Sequence, residues 1–150
     1  MYTRHHGLGL LAAVLIDQAT KWVANTSLDY FHSLPVFPGL VLSLVHNPGA
    51  AWGIFAHRTS LLTAVSLGVL VMLWFMRYRL GTNAWTRWCV VILASGTAGN
   101  LIDRVSVGYV TDFINIGIIP VFNIADMLIN IGVFGLLIES FRNGHSNPSA

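Results

Sequence analysis

Asp103, Asp112 and Asp126 are three of only six acidic residues in a chain of 150 residues. They stand with Asn100, Arg104 and Asn123 between long apolar runs. An ionisable side chain at membrane depth is costly, and is a functional candidate for that reason. Two carboxylates that share one site cannot both ionise cheaply. One proton is held between them, and the upper apparent pKa rises toward neutral. That is what an aspartic peptidase uses: the ionised member takes a proton from an attacking water, and the protonated member donates to the scissile carbonyl oxygen. Asn123 and Asn100 would orient the peptide, and Arg104 would hold a carboxylate or a backbone carbonyl. Spacing alone leaves all three aspartates in contention for the pair.

The elements that position these groups follow from hydropathy. The chain is 55% hydrophobic and 9% charged, with mean hydropathy +0.67, against about 25% charged in a soluble domain. We therefore read an all-α membrane protein forming a single integral membrane domain, with no linker dividing it. Crossing the bilayer takes about 20 helical residues, and the predicted spans are 7–27, 59–76, 85–103 and 122–141. Four spans put both termini on one side. Arg4, Arg77, Arg79, Arg87 and Arg142 against Lys21, Arg58 and Arg104 make that side the cytoplasm. Residues 7–16 resemble a signal-peptide core, but Asp17-Gln18-Ala19-Thr20-Lys21 follows, so the first helix is expected to be retained. Residues 28–58 carry Pro35, Pro38, Gly39, Pro48 and Gly49 between short apolar alternations. This predicts a small external β-element on the membrane surface. In the second external segment, 104–121, a turn at Gly108 brings Asp112 back toward Asp126 at the head of the fourth helix. Residues 143–150 read as a disordered tail.

Gly96, Gly99, Asn100, Asp103 and Arg104 recur at spacings of three and four, forming one stripe on the third helix. Its two glycines allow close approach of a neighbouring backbone. Asn123, Asp126 and Asn130 form a second stripe, and both converge near the external surface. Asp126 can also be read as a helix cap, although that leaves the other aspartates unexplained. Asp17 and Lys21 are an i,i+4 pair in the favourable acid-first order. They either neutralise each other while tying the helix to the external segments, or touch substrate.

Other chemistries find less support. His5, His6, His32, His46, His57 and His145 do not cluster at ligand spacing, so no metal or other cofactor is expected. Ser95 has no histidine placed to serve as its base. Cys89, the single cysteine, excludes an internal disulfide and reads as packing. The scattered basic residues form no nucleic-acid patch. An ion-coupled transporter would spread Asp17, Asp103 and Asp126 across membrane depth, whereas the acids gather at one side.

Four ordered blocks carry a resemblance: Asp17–Lys21, Asn47–Gly53, Gly96–Arg104 with Gly108–Phe113, and Phe122–Asp126. In these the chain resembles the lipoprotein signal peptidases, bacterial signal peptidase II. The resemblance implies a multi-pass enzyme of the bacterial plasma (inner) membrane with its active site near the external face. It would act as a monomer among membrane lipid, cleaving diacylglyceryl-modified prolipoproteins just before the lipid-bearing cysteine. It also implies that Asp112 and Asp126 are the catalytic pair and that Asp103 is supporting. Asn47, Gly96, Asn100, Arg104 and Asn123 would line the substrate site, with Asp17 and Lys21 as a polar pair beneath. Trp52 in place of phenylalanine, Ser95 in place of glycine and a short Asp112–Asp126 segment depart from the family pattern.

Overall fold

The computed structural model describes residues 2–49, 59–80 and 83–145, with side chains to residue 143. The Ala50–Gly53 half of the second block (Trp52 included), Arg58 and the end of the tail lie outside the described residues. In chain order the elements are α1 (Arg4–Ser27), β1 (Leu34–Phe37), β2 (Leu40–Asn47), α2 (Thr59–Leu80), α3 (Ala84–Ser106), β3 (Val110–Asn115) and α4 (Ile124–His145).

The bundle is apolar outside and polar inside. Leu8, Leu11, Leu15 and Trp22 of α1 are exposed, as are Val65, Leu67, Trp74 and Phe75 of α2, while Asp17, Lys21, Asn100, Asp103 and Asn123 are buried. Three helices, α1, α2 and α4, are long and apolar enough to cross a membrane. The third helix, α3, has 23 residues, but carries the polar stripe and so falls short in apolarity. It is the hub: α1, α2, α4 and β3 all pack on it, while α2 has no comparable contact with α1 or α4 among the described residues. The helices overrun several predicted ends, with α1 beginning at Arg4, α2 reaching Leu80 and α3 reaching Ser106. The last helix instead starts later, at Ile124, because Phe122 is held by backbone bonds to Phe113 and Ile114.

The β-element is larger than expected. Its three antiparallel strands run in the order β1-β2-β3, and the third comes from the segment read as a simple turn and return. Val110, Thr111, Phe113 and Ile114 have the β-branched and aromatic character that suits a pleated surface. Gly108, at φ 82°, makes the turn out of α3 that an L side chain would strain. Strand register sets Val45 opposite Asp112 and Asn47 opposite Val110.

Small residues close the α3–α4 crossing. A Cβ on Gly132 would lie 2.7 Å from Leu93 Cβ and 2.9 Å from the Cys89 carbonyl oxygen. One on Gly96 would collide with the Ala125 carbonyl and lie 2.9 Å from Ile129 Cγ1. The obstacle at Gly96 is backbone, which cannot rotate away. Gly96→Val is therefore expected to cost at least about 1–3 kcal/mol in thermal unfolding and to shift the first turn of α4, depressing turnover further. Wild-type melting and turnover would contradict this interlock.

Candidate active site

Lys21 organises the polar interior. Its side chain is 4% exposed, and its ammonium lies 2.9 Å from Asp17 Oδ2 and 3.0 Å from Asp103 Oδ2. It also donates to Asn100 Oδ1 at 2.9 Å. Three donors thus meet three acceptors, which a buried ammonium requires. Each aspartate then binds a further element. Asp17 Oδ1 accepts from the Ala125 N–H at 2.8 Å, an orphan donor of the first turn of α4. Asp103 Oδ2 accepts from the Thr111 N–H at 3.2 Å and so ties down β3 beside Asp112. Gln18 Nε2 donates to Asp103 Oδ1 at 2.9 Å, and to Asp17 and the Gly99 carbonyl at 3.2 Å.

That scaffold orients two asparagines. An ammonium only donates, so the Asn100 oxygen must face Lys21 and its amide must face Asp126, donating to Oδ1 at 2.8 Å. Asn123 is the N-cap of α4: its Oδ1 accepts from the Asp126 N–H at 2.9 Å, while Asp126 Oδ2 accepts from the Asn123 N–H at 3.2 Å. The exchange is a capping box, so Asp126 does cap its helix. It also directs the Asn123 amide to Asp112 Oδ1 at 2.6 Å. From the sheet, Asn47 Nδ2 reaches Asp112 Oδ2 at 3.0 Å, its own oxygen being taken by the Gly49 N–H. Asp112 and Asp126 thus line one cleft of about 390 Å³, with Asn123 bonded to both. Burial pushes the Asp112 carboxyl up to about 7, and the charge of Asp126 adds to the effect. Hydrogen bonds from Asn47 and Asn123 and the charge of Lys21 hold it back.

A family model described as Signal peptidase (SPase) II matches residues 10–142. The chain belongs to the signal peptidase II family. It is 40% identical over 145 residues to the lipoprotein signal peptidase of Acinetobacter baylyi, covering 90% of this chain and 80% of that one. It is also 40% identical over 130 residues to the lipoprotein signal peptidase of Moorella thermoacetica, covering 85% of each. A solved bacterial membrane enzyme superposes with TM-score 0.90 at 29% identity, covering 99% of this chain and 94% of that one.

Within this signal peptidase II fold, Asn47, Asn100, Arg104, Asp112 and Asp126 line the cleft together. Two expected substrate-lining residues do not. Gly96 faces Ala125 and Ile129 of α4, so its missing side chain serves helix packing. Asn123 is fully buried and stands behind the carboxylates. Arg104 is half-buried, with its Nη1 3.4 Å from the Asn100 carbonyl. Among the described residues it pairs with no carboxylate of its own chain, and its fork stays directed to the cleft. Ser95 donates its hydroxyl back to Val91 at 2.7 Å. Thr97, Asn130 and Ser66 of α2 also line the cleft. Gln18 received no role from sequence reasoning, although it sits between two acids at helical spacing from Lys21.

Proposed function

We propose that the chain is a membrane aspartic endopeptidase that removes signal peptides from diacylglyceryl-modified prolipoproteins, cutting before the lipidated cysteine. The observation that carries the chemistry is the pair Asp112 and Asp126 on one cleft, with Asp112 near neutrality beside a carboxylate whose partners all donate. In this reading the pair shares one proton. The ionised carboxylate takes a proton from water as its oxygen attacks the scissile carbonyl carbon, and the protonated one donates to the carbonyl oxygen. Collapse of the tetrahedral intermediate then returns a proton to the departing amine. Arg104 and Asn100 hold backbone carbonyls of the peptide. Neither a metal nor another cofactor is needed.

The surroundings suit such a substrate. Because α2, among the described residues, packs chiefly on α3, the cleft runs from the carboxylates past Thr97 and Asn130 to Ser66, a path by which an apolar peptide enters from the bilayer. We count α3 as a span alongside α1, α2 and α4, with both termini in the cytoplasm and the site at the external face of the plasma membrane, in a monomer. The outer strand exposes Leu34, Val36 and Phe37 beside Phe31, side chains that rest at a membrane surface.

The deciding experiment incubates the purified protein with a diacylglyceryl-modified precursor and its unlipidated counterpart. Cleavage of only the former is expected. Equal cleavage of both would remove the lipid requirement, and cleavage of neither would remove the reaction.

The shared proton also sets the pH dependence. Raising pH through about 7 ionises the second carboxyl and leaves no acid for the carbonyl oxygen, so kcat/KM should fall on its alkaline side with an apparent pKa near that value. A flat profile from pH 6 to about 9 would count against the pair.

A further inference from the structure

At the end of the bundle away from the carboxylates, α1 and α2 both pack on α3 without comparable contact between themselves among the described residues. The gap is a slot of about 510 Å³, within the range of ligand pockets. Its walls are apolar, from Leu10, Leu70, Leu73, Val90, Val91 and Ala94, while Tyr2, His6 and Arg77 lie at one end. Tyr2 bridges the end by an edge contact to Tyr78, with ring centroids 6.4 Å apart.

Two polar atoms there, Tyr2 Oη and His6 Nε2, are shielded from solvent and have no hydrogen-bond partner among the described residues. His6 is 9% exposed and its ring is stacked on Trp88 at 4.7 Å. Its tautomer follows from its other nitrogen: Nδ1 accepts from the Thr3 N–H at 3.1 Å and lies 2.8 Å from the Thr3 hydroxyl. An accepting Nδ1 leaves the proton on Nε2 in the neutral ring. The slot therefore holds an N–H and an O–H that lack acceptors, and buried donors are rarely left so. Arg77 stacks on Trp74 and Tyr78 at 3.9 and 4.4 Å. It spends one N–H on the Trp74 carbonyl and one on the Tyr78 hydroxyl, leaving three of its five donors.

We propose that this slot binds a glycerophospholipid from the leaflet that bathes this end of the bundle. One acyl chain lies along α3 between the apolar walls. The phosphate or ester oxygens accept from His6 Nε2–H and Tyr2 O–H, and the phosphate charge faces Arg77. A lipid suits the slot better than a soluble anion, because the opening lies between α1 and α2, two helices apolar enough to span the membrane.

Native mass spectrometry of the purified full chain would be run with phosphatidylglycerol and with a diacylglycerol of the same acyl chains. We expect the protein to retain one phosphatidylglycerol at least 10-fold better than the diacylglycerol. The Tyr2→Phe/His6→Phe double variant should lose that preference, and Ala94→Phe should exclude both lipids. Leu70→Trp, from the opposite wall, is a second blocking variant should Ala94→Phe melt early. Equal retention of phosphatidylglycerol by wild type and both blocking variants would overturn the site. An unchanged preference in the double variant, or displacement of the lipid by equimolar inorganic phosphate, would overturn the proposed recognition. Cleavage of the lipidated precursor by the double variant reports separately on the peptidase reading.

Discussion

Asp112→Asn and Asp126→Asn should each lower precursor cleavage at least about 10³-fold, the scale of general acid–base catalysis, while the protein still inserts and folds. In the proposed mechanism, either change removes the carboxylate that accepts the proton of water or the carboxyl that shares it. Neither should collapse the site, because the Lys21 cluster beneath is untouched. Asp112→Asn has a second, opposite signature. The folded protein holds the Asp112 proton up to about 7 rather than the ordinary 3.8. Between those values the native state binds more protons than the unfolded one, so this group makes stability fall as pH rises. The asparagine variant lacks that penalty. It does lose one amide hydrogen bond, since Asn47 and Asn123 both donate to Asp112 and an amide offers only one oxygen. The melting temperature of the variant relative to wild type should therefore climb between about pH 5 and pH 8. A variant that keeps full turnover, or a melting difference that falls over that range, would show that Asp112 is not the buried proton holder.

The sequence disclosed the polar interior but not the wiring. Hydropathy found the helices, and acid-first spacing found Asp17 and Lys21, because a helix makes residues four apart neighbours. What spacing lacks is the face on which the last turn of α3 ends. That helix runs on to Ser106 and turns Asp103 toward Lys21 and the Thr111 N–H, which consumes its acceptors. Asp112 is left to face the cleft from a strand that forms mainly through pairing with β2, a long-range contact that local propensity underdetermines. Asn47 and Asn123 reach Asp112 from a different strand and a helix cap. Helical spacing singles out Asn123, but nothing local shows that it and Asn47 bind Asp112. The preference for Asp112 and Asp126 over Asp103 comes from the family motifs; the hydrogen-bond pattern adds that both Asp103 oxygens are engaged by Gln18, Lys21 and the Thr111 N–H.

Lys21→Met should be the most damaging single change outside the cleft. The side chain is nearly isosteric, so packing survives while the charge disappears. Asp17 and Asp103, both buried, are left without their counter-ion, and breaking a buried ion pair from one side costs about 3–5 kcal/mol. That is a large part of the roughly 5–15 kcal/mol that holds a typical domain. A steep fall in melting temperature and in the yield of folded protein should follow. Activity should fall further than folding alone explains. Without the ammonium, the Asn100 oxygen keeps only the longer bond from Asn123 Nδ2, at 3.2 Å, so its amide is held less firmly toward Asp126. The triple variant Lys21→Met/Asp17→Asn/Asp103→Asn separates the two effects. Its asparagine oxygens can still accept from the Ala125 and Thr111 N–H groups, and no charge remains in that cluster. Stability should return toward wild type while turnover stays depressed, because the shorter of the two bonds that orient Asn100 is still missing. Recovery of turnover together with stability would make Lys21 purely a counter-ion. Wild-type melting in the single variant would remove it from the scaffold altogether.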